Sequence, residues 1–255
     1  MKTAILGPTG MLGSMVNKTW EGPHKAFDRK ELNAEFPQIK KLADFDWVIN
    51  CVGMIKPYCV DSGRAIRVNA LFPHYLPENT IQIATDCVYS GKSGNYTETD
   101  EHDALDVYGK TKSLGEAPQV KNLRCSIIGP EAKNHISLLD WFLSQEEVNG
   151  FTNHWWNGIT TYHFSLICQG IIREGIELPN LQHIVPGDSV SKASLLKIIA
   201  KAYDKKIKVN SVLAPEFVDR TLRTNNPELN NRIWRAAGYS KPPTIKQMIE
   251  EMAAL

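Results

Sequence analysis

The chain has 255 residues, 42% hydrophobic and 22% charged, the balance of an ordinary folded protein of one large domain. Lys and Arg total 29 and Asp and Glu 28, a net charge of +1 that argues against nucleic acid as the main partner. No run reaches the roughly 18 apolar residues of a membrane span. Gly7, Pro8 and Gly10 break the first apolar run before a signal sequence forms, so a cytoplasmic chain without membrane contact is expected.

In chain order, residues 2–6 predict a short strand that stops at a Gly-rich turn, and residues 11–20 a helix. Residues 24–28 predict a second strand, 37–43 a short helix and 47–52 a third strand. A helix over 62–76, a strand over 80–84, a helix over 105–117 and a strand over 122–128 complete the first half. Strands alternating with helices imply parallel pairing and a doubly wound α/β sheet. The second half is less regular. Residues 136–145 and 161–174 predict helices, 182–185 a strand, 190–203 an amphipathic helix, 207–213 a strand and 243–254 a closing helix. The five cysteines, Cys51, Cys59, Cys87, Cys125 and Cys168, contain no Cys-x-x-Cys pair, and the histidines show no ligand spacing. Buried free thiols and no metal site are expected.

The stretch Gly7-Pro8-Thr9-Gly10-Met11-Leu12-Gly13 joins the first strand to the first helix. Gly10 lets the backbone approach a pyrophosphate, Gly13 lets the helix pack on the strand, and the free amides of the helix start face the phosphate charge. In this βαβ setting the turn reads as a dinucleotide cradle. Asp28 and Arg29 end the second strand. A carboxylate there binds ribose hydroxyls and suits NAD, whereas a guanidinium pairs with a 2′-phosphate and suits NADP. Both are present, so NADH and NADPH both stay open.

Tyr108 and Lys112 form a Tyr-x-x-x-Lys pair, which places both side chains on one helix face. An ammonium near a phenol favours the phenolate, so Lys112 is expected to bring the Tyr108 pKa down toward working pH. A tyrosine tuned in this way exchanges a proton with a carbonyl or alcohol oxygen. Thr85, at the end of the fourth strand, offers a hydroxyl to the same oxygen.

The order of these features resembles the extended branch of the short-chain dehydrogenase/reductases, and within it the dTDP-4-dehydrorhamnose reductases and related nucleotide-sugar reductases. Ile83-Ala84-Thr85-Asp86-Cys87-Val88-Tyr89-Ser90-Gly91 looks like that family's Ser-Thr-Asp-Tyr-Val-Phe-x-Gly. Tyr96-x-Glu98-x-Asp100, the run from Leu105 through Lys112 to Gly115-Glu116, and Arg124-Cys125-Ser126 continue the match. It is specific over residues 1–130 and weaker beyond.

The resemblance implies a Rossmann-type core over residues 1–130. A smaller C-terminal substrate-binding lobe over residues 131–255 follows, with some segments returning to the core. It implies reduction by NADPH or NADH of a nucleotide-linked 4-keto-6-deoxy sugar, feeding a deoxysugar into a surface glycan. Thr85, Tyr108 and Lys112 are the implied catalytic set. Gly7, Thr9, Gly10, Met11 and Leu12 are implied to contact the pyrophosphate, Cys51, Val52 and Gly53 the adenosine and ribose, and Ile127 and Ile128 the nicotinamide. Asn33 stands where relatives often have an acidic residue, and the chain is shorter than the family norm, so a trimmed lobe is expected.

On the substrate side, Lys56, Asp86, Cys87, Trp155, Trp156 and Asn157 are the candidates. Aromatic faces stack on a base or sugar, Asn bonds hydroxyls, Lys56 meets a diphosphate, and Arg220 and Arg223 reach substrate phosphate. Core packing is the competing reading for both Trp, and a solvated surface the competing reading for Lys56, Arg220 and Arg223. A nucleoside-diphosphate sugar is the expected partner, and a homodimer is open. Two other readings keep the fold. One is an epimerase or dehydratase, although the Glu that dehydratases place after Thr-Asp is replaced by Cys87. The other is a non-catalytic regulatory subunit that binds NAD(P).

Overall fold

Alternation in the first apolar run sends Ile5 to one side of a sheet and Ala4 and Leu6 to the other, and the fold is built on that two-sidedness. The computed structural model describes residues 1–133 and 135–255. β1 (Thr3–Leu6) leads into α1 (Met11–Thr19), followed by β2 (His24–Phe27) and β3 (Trp47–Asn50). α2 (Ser62–Ala65) continues as a π-helical stretch, Ile66–Leu71, and a 3-10 turn, Phe72–Tyr75. β4 (Thr80–Ala84), α3 (Val107–Leu114) and β5 (Lys121–Arg124) complete the first half.

The second half runs β6 (Ile127–Ile128), α4 (Leu138–Leu143), β7 (Glu147–Phe151), β8 (His154–Trp156), β9 (Ile159–Thr160) and α5 (Thr161–Glu174). It continues with β10 (Leu181–His183), β11 (Val190–Ser191), α6 (Lys192–Ala202), β12 (Lys208–Val212), β13 (Val218–Asp219), α7 (Pro227–Ala236) and α8 (Ile245–Ala253).

Six strands form one sheet in the order β10-β5-β4-β3-β1-β2, with every pairing parallel. This is the expected Rossmann-type doubly wound sheet, and β10 brings a late segment back into it. The strand order reverses between β1 and β3, which opens a crevice at their carboxyl ends. On one face Ile5, Ile49, Ile81 and Leu123 pack with Leu12, Val16, Phe164 and Ile167 of α1 and α5. On the other, Ala4, Leu6 and Val48 pack with Ala65, Val68, Phe72, Ala117 and Val120. The remaining strands make a three-stranded sheet, β11-β8-β13, and the pairs β12-β7 and β6-β9. No helix among the described residues is long and apolar enough to cross a membrane.

Several expected elements divide. The helix over 62–76 becomes α, π and 3-10 in turn, because Pro73 has no amide to donate and forces the last turn to tighten. The strand over 122–128 breaks at Cys125. The chain leaves the main sheet after Arg124, and Ile127 and Ile128 pair with Ile159 and Thr160 instead. The helix over 190–203 starts as a strand, because the Ser191 hydroxyl caps Ser194 N–H and so fixes where α6 begins. β7, β8, β9, β13 and α7 lie outside the expected elements. Gly150 hides β7: a Cβ there would come within 2.7 Å of Ala193 Cα, so a strand position is given up to let α6 approach.

Two buried polar systems tie the strands together. Asn50 Nδ2 donates to Gln82 Oε1 at 2.8 Å, and Gln82 Nε2 donates to Asn122 Oδ1 at 2.9 Å and to Gly115 O at 2.8 Å. The three amides sit at paired positions on β3, β4 and β5, so register and hydrogen bonding specify each other.

The second system centres on Arg124, which is 0% exposed. Its Nε donates to Glu116 Oε1 at 2.9 Å, and Nη2 reaches Glu116 Oε2 and, at 2.7 Å, His102 Nε2. Nη1 donates to Tyr89 OH at 2.5 Å and His183 Nε2 at 2.8 Å. His183 Nδ1–H must then donate to Arg223 O at 2.7 Å, which fixes its tautomer. A histidine that accepts from a guanidinium has to be neutral. Burial first, and Arg124 second, push His183 down to about 4.

Replacing Arg124 with Met strands the Glu116 carboxylate, whose side chain is 10% exposed. Urea unfolding of Arg124→Met is expected to show a loss of about 3–5 kcal/mol, the typical cost of breaking a buried pair. The folded state also resists protonation of His183, so stability is full above the ordinary value of 6.5 and falls as pH drops toward about 4. Thermal melts across that range should show a shallower fall in His183→Gln than in the parent.

Candidate active site

The crevice begins at the turn after β1. Gly7 has φ +78°, a conformation that favours glycine, and Gly10 N–H donates back to Gly7 O at 3.2 Å. A Cβ on Gly13 would stand 2.0 Å from Gly7 O, so α1 lies on the turn at a distance that only glycine permits. Gly10 is the N-cap of α1 and supplies no side-chain acceptor, which leaves the first helix amides free for an anion.

From this turn a cavity of about 460 Å³ extends along the carboxyl ends of the strands. Thr9, Gly10, Met11 and Leu12 line one end. Cys51, Val52 and Gly53 line its side, and Thr85, Asp86, Cys87, Tyr108, Lys112, Ser126, Ile127 and Ile128 line the far part. A second cavity of about 220 Å³ shares Thr9, Gly10 and Cys51 to Met54 with the first, and reaches Gly7, Arg29, Glu35 and Arg64. In that second cavity Arg29 Nη2 and Arg64 Nε lie 2.6 and 3.0 Å from Glu35 Oε1, and from outside its lining Arg67 Nη2 lies 3.4 Å from Oε2.

Local sequence explains how the reactive side chains are held. Thr85 follows β4, and its hydroxyl oxygen accepts from Cys87 N–H at 3.2 Å. Asp106 caps α3 by accepting Gly109 N–H at 3.0 Å, which orients the first turn and with it Tyr108. Asn69, in the π-helical stretch, accepts Met54 N–H at 2.7 Å and donates to Met54 O at 3.0 Å, so it clamps the loop that lines both cavities.

The protonation states differ from the sequence expectation. Burial raises the Tyr108 pKa above its ordinary value, and the neighbouring Thr85 hydroxyl opposes this only weakly. The Lys112 ammonium donates to Ile83 O at 3.1 Å, and burial lowers it to about 8. It therefore does not hold a phenolate in this state, and Tyr108 is a neutral phenol. Burial pushes Cys87 up to about 12 and raises Asp86 as well, against the pull of Arg220 and Lys192.

The cavities bring together every implied pyrophosphate, ribose, nicotinamide and catalytic residue, and Arg29 and the proposed Asp86 and Cys87 with them. Other candidates are engaged elsewhere. The Asp28 carboxylate accepts Lys30 N–H at 2.8 Å and Glu31 N–H at 3.0 Å, closing its own loop, and these bonds lower its pKa. Lys56 pairs with Asp106 at 2.9 Å rather than standing free at the rim. Asn157 exchanges two hydrogen bonds with the Leu222 backbone, at 2.8 and 2.9 Å. Trp155 and Trp156 lie outside both cavity linings, with Trp156 buried and its indole N–H donating to Ser126 Oγ at 2.8 Å. Sequence reasoning passed over Glu35, Arg64 and Asn69. Their spacing carries no motif, and only the packing of the residue 62–71 stretch against the crevice reveals them.

The family model described as RmlD substrate binding domain matches residues 1–255. No curated protein matches the chain. Among solved structures, a dTDP-4-dehydrorhamnose reductase from Clostridium acetobutylicum is 20% identical, with 100% of this chain and 99% of that chain covered and a TM-score of 0.79. The dTDP-4-dehydrorhamnose reductase from Bacillus anthracis, solved in complex with NADP, is 17% identical over 98% of each chain, with a TM-score of 0.81. A UDP-N-acetylglucosamine 4-epimerase from Methanobrevibacter ruminantium is 15% identical, covers 99% of this chain and 97% of that chain, and has a TM-score of 0.75. These likenesses show the fold. Coverage of the two reductases is almost end to end.

Gly13→Ala places a methyl group against Gly7 O. Chemical unfolding should show a loss of about 1–3 kcal/mol, the usual range for overpacking, and fluorescence titration should show weakened NADPH binding.

Proposed function

The chain belongs to the RmlD substrate binding domain family, and on that premise we propose that it is an NAD(P)H-dependent reductase of a nucleotide-linked 4-keto-6-deoxy sugar. The observation that carries this reading is the meeting of Thr85, Tyr108 and Lys112 on the wall of a cavity whose other end is the α1 amide cradle. The residues fit a dinucleotide: free helix amides for the pyrophosphate, a side pocket at Gly53 for the adenosine, and Ile127 and Ile128 beside the reacting end. When bound, the reduced nicotinamide supplies a hydride.

The chain's own part is to bind the keto oxygen and supply its proton. Tyr108, a neutral phenol in an enclosed site, is in the protonation state that a donor needs. Thr85 presents its hydroxyl to the same oxygen. Lys112, anchored on Ile83 O, lies on the face of α3 that carries Tyr108 and stabilises the phenolate left after transfer.

NADPH is the preferred reductant in this reading. Arg29 and Arg64 converge in the adenosine pocket on a single carboxylate, Glu35, which leaves an excess of positive charge for a 2′-phosphate. Asp28, the alternative ribose ligand, is turned into its own loop.

Residues 1–130 then serve the cofactor and 131–255 mainly the sugar nucleotide. The cytoplasm suits five cysteines that are all free. Ile66, Leu71, Tyr75, Val107 and Leu114 are exposed on the adjacent residue 62–75 stretch and α3, an apolar face that fits a second copy of the chain.

Mixing the protein with NADPH and an enzymatically prepared dTDP-4-keto-6-deoxy sugar should oxidise the nicotinamide. A UDP-linked 4-keto sugar run in parallel selects the nucleotide. Tyr108→Phe should lower kcat by roughly 10²–10⁴-fold, the span of general-acid contributions, with NADPH affinity retained. NADPH should bind at least about tenfold tighter than NADH, and Arg64→Gln should narrow that ratio. NADPH binding without turnover on any of these sugars favours a regulatory subunit.

A further inference from the structure

Part of the main cavity's wall is a strand pair with only two residues on each side, Ile127 opposite Ile159 and Ile128 opposite Thr160. Ser126, Ile127 and Ile128 line the cavity in the part that Thr85 and Tyr108 also line. So short a ladder has too few bonds to fix its own position, and what holds it lies behind it. Ile159 N–H donates to Ser126 O at 2.8 Å. A Cβ on Gly129 would stand 2.1 Å from Thr161 Oγ1, so the chain leaving β6 runs directly onto the first residue of α5.

Behind β9 sits a buried polar chain that takes no part in the proton transfer. Thr160 caps α5 by accepting His163 N–H at 3.2 Å, and the same hydroxyl lies 2.6 Å from His163 Nδ1. His163 is 0% exposed. Its Nε2 lies 2.8 Å from Tyr239 OH and 3.1 Å from Glu251 Oε2, and Tyr239 OH donates to that same carboxylate oxygen. The other oxygen, Oε1, accepts from Gln247 Nε2 at 2.9 Å. Tyr239 follows α7, and Glu251 belongs to α8.

The hydrogen positions follow by elimination. A carboxylate only accepts and the Tyr239 hydrogen is already given to it, so His163 Nε2 must carry a hydrogen. Burial pushes His163 down to about 4, so the ring is neutral and Nδ1 is bare. Thr160 O–H must then donate to Nδ1. Glu251 thus fixes the tautomer of His163, and the tautomer fixes the hydroxyl of a residue in the β6–β9 ladder.

We propose that Glu251 is a positioning residue for the nicotinamide half of the cofactor, holding β9 and with it the β6 wall through Tyr239, His163 and Thr160. All four residues lie outside both cavity linings, so they act on a ligand only through where that wall stands. The inference rests on the reductase reading, which puts the nicotinamide beside Ile127 and Ile128, and adds α8 to the elements that hold the ring.

Calorimetric titration with NADPH and with 2′-phospho-ADP-ribose, the same molecule without its nicotinamide ring, gives the ring's share of the affinity as a ratio. In Glu251→Leu that ratio should fall roughly 2–30-fold, the span of couplings carried through packed networks, with 2′-phospho-ADP-ribose bound as in the parent. Glu251→Gln keeps an acceptor for Tyr239 and His163 and should recover most of the ratio. Should Glu251→Leu fail to fold, Thr160→Val makes the same comparison, because it keeps the side-chain shape and removes the hydroxyl that Nδ1 engages, with Thr160→Ser as its rescue. An unchanged ratio, a Gln variant as weak as the Leu variant, or both affinities falling together overturns the positioning. A parent whose affinity gains nothing from the ring also overturns it and leaves the reductase reading to the keto-sugar assay. A parent that binds neither probe removes the reductase reading and the positioning together.

Discussion

One guanidinium, cut off from water, sets the geometry on which the far half of the crevice depends. Arg124 ends β5, at the point where the chain leaves the main sheet, and its donors reach Glu116, His102, Tyr89 and His183. These residues come from the end of α3, the loop after β4 and strand β10. No apolar contact could join those segments with comparable direction, because each bond has a fixed angle and a buried alternative would be unsatisfied. The consequence travels outward through Tyr89. Its ring stacks on Tyr96 with centroids 4.1 Å apart, its hydroxyl is held by Arg124, and its carbonyl receives Arg220. A charge buried in the core thus fixes, through Tyr89, the position of a second guanidinium.

The crevice is electrically divided along its length. At one end are the free amides of α1 and the Arg29–Glu35–Arg64 cluster. Beyond that end the titratable groups of the crevice are pushed toward their neutral forms: Tyr108, Cys87 and Asp86 up, each chiefly by burial. Such a layout suits a ligand whose phosphates are anionic at that end and whose reacting centre is neutral. The protein supplies positive charge where the ligands carry negative charge, and a low-dielectric middle where a proton has to move.

Legibility in the sequence followed the range of the interactions. β4 and α5 were read with their observed bounds, since each is a clean apolar pattern between turn signals, and α5 has Thr160 as its cap and Gly175 in the left-handed conformation at its end. The crevice residues of the first half were readable because turn chemistry and helix spacing are local. The second half was not, because its short strands exist only through partners distant in sequence. β8 has three residues and is defined by β11 and β13, which lie some way along the chain on either side of α6. Asn157 looked like a sugar ligand because an exposed-looking Trp-Trp-Asn run suggests recognition. Its amide is instead matched to the Leu222 backbone from 65 positions away. Likewise Asp28 reads as a ribose ligand by position, yet its carboxylate is taken up by the amides of Lys30 and Glu31.

The tyrosine and lysine show why spacing alone does not settle chemistry. Four residues apart on α3, they lie on one face, as the pattern requires. The ammonium is nevertheless committed to the Ile83 carbonyl, and burial acts on both groups in the direction that removes charge. The phenol is left protonated and the lysine is weakened as a stabiliser of its conjugate base. For a reduction this is the right starting state: the proton is already on the atom that must give it, and the lysine's charge gains its full effect only as the phenolate forms beside it. Burial of the pair therefore leaves the proton on the group that has to give it in a reduction.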